Sequence, residues 1–142
     1  LSEIKEGWLS FFIVVMIYEI YRNYEITFNS RNLVSLYADE YIFTGGAHGD
    51  TIRTSQNWDF NYNTLLQLYE FYPRNPYFLL GIFKNISNQI LKNPDIYFED
   101  NCNLVLNTFN PQNFYLTPRG IVVYFQHYDI APYSSGIPTF NV

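Results

Sequence analysis

The chain has 142 residues, of which 48% are hydrophobic and only 15% charged, with a net charge of −5. That balance excludes a disordered chain and allows one domain with a real core. The eight Lys and Arg residues are scattered without a basic stripe, which excludes a nucleic-acid binder.

In chain order, "WLSFFIVVMIY" (residues 8–18) is too short to span a bilayer. It follows Glu3 and Glu6, where a targeting signal would want positive charge, and reads as a buried strand. The chain opens on Leu1, and the expectation is a piece of a longer protein. From Tyr18 to Phe28 apolar and polar residues alternate, predicting a half-buried strand with a bend or bulge at Arg22. "NSRN" (29–32) predicts a hairpin turn, and Leu33–Phe43 a second strand. "TGGAHG" then reverses the chain into a third strand, Asp50–Phe60. Three strands joined by short turns predict an antiparallel meander.

The period then changes. "NYNTLLQLYEFY" predicts a turn and a short helix capped by Thr64. Asn75 and Pro76 predict the start of a second helix, with Leu79, Phe83, Ile86 and Ile90 on its buried face and Pro94 beyond its end. A weaker helix covers Asp100 to Asn107 and carries the single cysteine, Cys102, expected as a small buried hydrophobe. One cysteine allows no internal disulfide and no CxxC metal site. "NFYL", "TPRG" and "IVVYFQHY" (113–128) predict strand, turn and strand, and "APYSSGIPTFNV" a rigid loop before a short final strand. The fold class is therefore α+β: a meander of three N-terminal strands plus C-terminal strands, with two to three helices packed on one face of the antiparallel sheet.

Two segments stand out chemically. Gly45, Gly46, His48 and Gly49 crowd one turn, but no GxxxxGK[ST] and no following helix make it a phosphate loop. A metal-assisted hydrolase centred on His48 would need His127 and an acidic residue such as Asp50 or Asp129 beside it, and no local spacing supplies a zinc site. Ser134 and Ser135 lack the surroundings of a nucleophile elbow. The second segment, "QHYDIAPYSSGIP", combines fixed φ at Pro132 and Pro138, freedom at Gly136, and anchors at Tyr128, Ile130, Tyr133 and Ile137. A rigid loop with aromatic anchors suits a binding surface or a packed connection. A carbohydrate-binding module stacking sugars on Trp8, Trp58 and exposed tyrosines is a further reading.

"YEITFNSRNLVSLYADEYIFTGGAHGDTIRTSQNWDF" followed by "NFYLTPRGIVVYFQHYDIAPYSSGIP" resembles a bacterial family of extracytoplasmic domains. They form the outer part of RsiV-type anti-sigma factors and an accessory domain of PdaC-type peptidoglycan deacetylases. The similarity runs from Tyr24 to Val142. It rests on Phe43–Gly49, with Phe43 where the family has Tyr, and on Tyr124–Pro138, with Asp129 for Glu and Ser134–Ser135 for two alanines. The resemblance implies a non-catalytic recognition domain without cofactor or metal, outside the cytoplasm, in a protein that is membrane-anchored or secreted. Its implied partner is a lysozyme-like muramidase or peptidoglycan. The residues expected at the ligand are Gly45, Gly46, His48, Gly49, Gln126, Tyr128, Asp129, Ile130, Pro132, Tyr133 and Gly136. The 43–50 turn and the 126–138 loop are expected to share one surface.

Overall fold

A computed structural model of the chain describes residues 19–142, so the strand expected over residues 8–18 lies outside the described residues. β1 (Glu19–Ser30), β2 (Leu33–Phe43) and β3 (Asp50–Asp59) form the expected meander, extended by a two-residue strand, β4 (Thr64–Leu65). A 3-10 turn over Leu68–Phe71 leads to α1 (Phe78–Ile90); a second over Pro94–Ile96 leads to α2 (Asn101–Thr108). β5 (Phe114–Thr117), β6 (Gly120–Tyr124) and β7 (Thr139–Asn141) follow. The class is α+β, as expected. The C-terminal strands do not join the meander, however. They make a second antiparallel sheet in the order β5-β6-β7, beside the first sheet in the order β1-β2-β3-β4.

The reason lies in the alternation of the C-terminal strands. Phe114, Leu116, Val123 and Phe140 belong to one apolar cluster with Ile82, Ile86 and Ile90 of α1 and Val105 of α2. Tyr115, Val122 and Tyr124 form a second cluster with Tyr37 of β2. The strands are thus apolar in both alternating sets, the pattern of a sheet covered on two sides. The helical spacing predicted for α1 holds at Ile86 and Ile90, with Leu79 and Phe83 partly buried and Ile82 added.

Polar chemistry stitches β5 to the first sheet. Leu116 N–H donates to Ser35 Oγ (2.8 Å), and Asn57 Nδ2 donates to the Phe114 carbonyl (3.1 Å). Ser35 Oγ in turn donates to Asn57 Oδ1 (2.7 Å). Both side chains are buried, so the sheet edge that β5 presents is satisfied by side chains where a strand would otherwise be required.

Several local expectations change. Thr64 opens β4 and caps no helix; Gln67 stands before the 3-10 turn, whose Glu70 carboxylate accepts the Gln67 N–H. The pairing irregularity of β1 falls between Ile26 and Phe28 rather than at Arg22. α1 begins at Phe78, although Asn75 Oδ1 still accepts the Tyr77 N–H (3.1 Å) in the turn before it. Cys102 is exposed, and Val105 takes the buried position of α2. His127 lies in a loop after β6 instead of continuing a strand. Among the described residues, no helix is long and apolar enough to cross a membrane.

Candidate functional site

The turn after β2 and the loop after β6 meet. Gly45 and Gly46 have φ of +102° and +105°, the region glycine enters without a Cβ clash, and they reverse the chain between β2 and β3. Gly49 is needed for a different reason. Its amide donates to the Tyr41 hydroxyl (3.1 Å), and a Cβ there would stand 2.5 Å from the Ile42 carbonyl and from the Tyr41 ring. The turn is pressed onto β2 and holds out His48, whose Nδ1 lies 2.9 Å from the Gly49 carbonyl.

The opposite half is the 126–138 loop. His48 stacks on Tyr133, ring centroids 4.0 Å apart and planes 19° apart. His127 packs against the same ring at 4.7 Å, and its Nδ1 contacts Asp50 Oδ1 at 2.9 Å. Tyr128 stands 5.9 Å from Tyr133, with φ of +64° and 52% of its surface exposed. An aromatic residue in a left-handed backbone conformation is uncommon and marks a strained turn held by its surroundings. The two segments that stood out in the sequence therefore form one surface of His48, Asp50, Tyr128 and Tyr133, with the nearly buried His127 side chain supporting it from beneath.

Other motif residues hold that surface in place. Among the described residues, the outward-facing main chain of β3 at Arg53 lacks a strand partner, and the Gln126 amide supplies one. Arg53 N–H donates to Gln126 Oε1 (3.0 Å), and Gln126 Nε2 donates to the Arg53 carbonyl (2.7 Å). Asp129 Oδ2 accepts the Gln126 N–H (2.8 Å), closing the turn that contains His127 and Tyr128. Burial raises the Asp129 pKa and outweighs the lowering effect of that hydrogen bond. Ile130 is fully buried in the core, so it anchors the loop and offers no surface. Pro132 precedes a 3-10 turn, Tyr133–Ser135, that ends at Gly136 with φ of +70°. Ser135 Oγ donates to the Ile96 carbonyl (3.1 Å) and is committed to fastening the loop.

Beside this surface lies a cluster that sequence reading does not single out. Arg53 makes a two-pronged pair with Asp39 (2.7 and 2.6 Å), directly opposite it on β2, and its guanidinium lies 3.9 Å over the Tyr37 ring. Tyr37 OH donates to Glu25 (2.5 Å). Burial, then that hydrogen bond, push the Tyr37 hydroxyl up to about 12. Only the register shows this cluster, because Glu25, Tyr37, Asp39 and Arg53 come from three strands.

Among the described residues, no three His, Cys, Asp or Glu side chains gather closely enough to share a metal ion. The concavity lined by Tyr69, Tyr72, Pro73, Arg74, Asn75 and Phe78 involves none of the motif residues. Trp58 is half-buried and stacks on Phe60 (6.3 Å), while Trp8 lies outside the described residues.

Known proteins bear on the fold and the family. Residues 79–142 match the family described as "Protein of unknown function (DUF3298)", and residues 12–51 match the family described as "Deacetylase PdaC". The peptidoglycan-N-acetylmuramic acid deacetylase PdaC of Bacillus subtilis (strain 168) is 27% identical over 82 residues, 58% of this chain and 18% of that protein. A crystal structure of a DUF3298 family protein from Pseudomonas aeruginosa PAO1 superimposes with a TM-score of 0.65 at 22% identity, over 88% of this chain and 58% of that one. A second, from Bacteroides fragilis NCTC 9343, gives a TM-score of 0.62 at 23% identity, over 87% of this chain and 51% of that one. The chain thus spans about a fifth of the curated relative and just over half of each solved structure. The family matches at its two ends, with this relative, support a domain similar to the PdaC and DUF3298 families.

Proposed function

We propose that this domain is a non-catalytic, extracytoplasmic recognition module that binds a lysozyme-like muramidase, with peptidoglycan as the alternative envelope ligand. The observation that carries the reading is the stack of His48 on Tyr133, which joins the turn and the loop into one preformed aromatic surface. Rigid aromatic anchors give much contact area at low entropic cost, as binding surfaces require. The net charge of −5 favours a cationic protein through steering. The family's presence in a peptidoglycan deacetylase supports an envelope location, and the resemblance to the outer part of RsiV-type receptors points to a muramidase. The placement of Ser135, Gln126 and Asp129 favours binding over catalysis, because each commits a side-chain polar atom to holding the loop.

The test is a parallel pull-down with hen lysozyme and with purified, insoluble peptidoglycan. Capture of lysozyme that is lost in Tyr128→Ala and Tyr133→Ala proteins of unchanged circular dichroism supports the reading. Capture by peptidoglycan alone moves the ligand to the polymer. Capture of neither removes both.

A further inference from the structure

We propose that two copies of this chain associate by pairing their β1 strands edge to edge, antiparallel, about a two-fold axis at Asn23. Residues 19–26 form a strand hydrogen-bonded to β2 on one side, and every one of them is exposed. Ile20 and Tyr24 are 66% and 69% exposed, and Tyr21 and Ile26 are also open to solvent. The stretch has no Pro, Lys or Gly; its charges are Glu19, Arg22 and Glu25, and the bulge comes only after Ile26. Among the described residues β1 has no strand on its outer side, and a long edge strand of this kind, half of it apolar, is a template for another strand.

The register follows from the ladder. The Phe60 N–H donates to the Asn32 carbonyl (2.7 Å). Antiparallel pairs alternate between bonded and non-bonded, so in β2 the odd-numbered residues turn their main-chain groups toward β1. Their partners are Glu19, Tyr21, Asn23 and Glu25, which leaves Ile20, Arg22, Tyr24 and Ile26 presenting N–H and C=O outward. The outward groups of Arg53 on β3, taken up by Gln126, obey the same alternation.

A two-fold axis perpendicular to the sheet keeps each residue on its own face, so the strand pairs about a residue. Centred on Asn23, Ile20 meets Ile26 of the second copy and Arg22 meets Tyr24, each pair exchanging both main-chain bonds. The side-chain pairs are apolar with apolar and cation with aromatic ring. On the other face Tyr21 meets Glu25, and no like charges oppose each other. Centring on Tyr24 would run Ile20 into the bulge at Phe28, so Asn23 gives the longest regular register. Asn23 then faces its own copy in a non-bonded pair, about 4.5 Å between Cα atoms, within disulfide reach.

The experiment uses the whole chain carrying Cys102→Ser, which removes the exposed native thiol. Sedimentation equilibrium should show a dimer, and Asn23→Cys in that background should cross-link to a covalent dimer on mild oxidation. Tyr24→Pro removes an outward N–H while leaving the β2 ladder intact, and should yield a monomer; Ile20→Lys should do the same if the proline variant does not fold. A monomer at every concentration, or a dimer in which the thiol introduced by Asn23→Cys stays free, overturns the proposal. Protected Arg22 and Tyr24 amides in a monomer also overturn it, because the edge is then covered within one chain.

Discussion

At the residue scale, two substitutions separate the reasons for the glycines and the acid of the motifs. Gly49→Ala places a methyl group 2.5 Å from the Ile42 carbonyl, a rigid main-chain atom. The expected loss is about 2 kcal/mol, read from urea unfolding. Gly45 has open space around its missing Cβ but a φ of +102°. Gly45→Ala should therefore cost about 1 kcal/mol from backbone strain alone. Asp129 makes a pH prediction. Its folded pKa is raised by burial, so the native state holds that proton more tightly than the unfolded chain. The resulting stabilisation is complete below the ordinary Asp range and disappears as pH rises through the folded value. Asp129→Asn keeps an oxygen for the Gln126 N–H and should flatten that acid-range component of the pH–stability curve. A variant whose curve keeps the full slope would place its origin elsewhere.

At the scale of elements, the meeting of the two sheets depends on Ser35 and Asn57. Asn57→Leu leaves the Ser35 hydroxyl and the Phe114 carbonyl without their partner in a buried region. The expected cost is about 2 kcal/mol, with hydrogen exchange at Leu116 accelerating as β5 loosens. These contacts also show where sequence reading reaches its limit. The three-strand meander and α1 were legible because alternation and helical spacing are local signals. The hairpin glycines were legible because the turn must reverse between two strands. The second sheet was not, because whether β5 and β6 join the meander is decided by Ser35 and Asn57, residues 81 and 57 positions away from their partners. Thr64 misled because a good N-cap residue is equally at home in a strand. Of the surface, the two motifs and Tyr133 were visible as unusual composition, whereas the Asp50–His127 contact and the Gln126 clamp on Arg53 join residues 77 and 73 apart.

For the whole molecule, the layers act as a mount. The helices and the second sheet bury Ile130 and Phe125, and that anchorage fixes the loop that carries His127, Tyr128 and Tyr133. The first sheet supplies the turn with His48 and the Arg53 edge to which Gln126 is fastened. A preformed surface of this kind spares any ligand the cost of first ordering a loop. The most direct measurement is a calorimetric titration of lysozyme into the wild-type domain and into Tyr133→Ala, with Gln126→Leu as a variant that keeps the ring but releases its mount. Saturable binding by the wild type is expected, with a loss of about 2 kcal/mol, roughly 30-fold in Kd, for Tyr133→Ala and a smaller loss for Gln126→Leu. Equal affinity in all three proteins, each with a native unfolding transition, would contradict it.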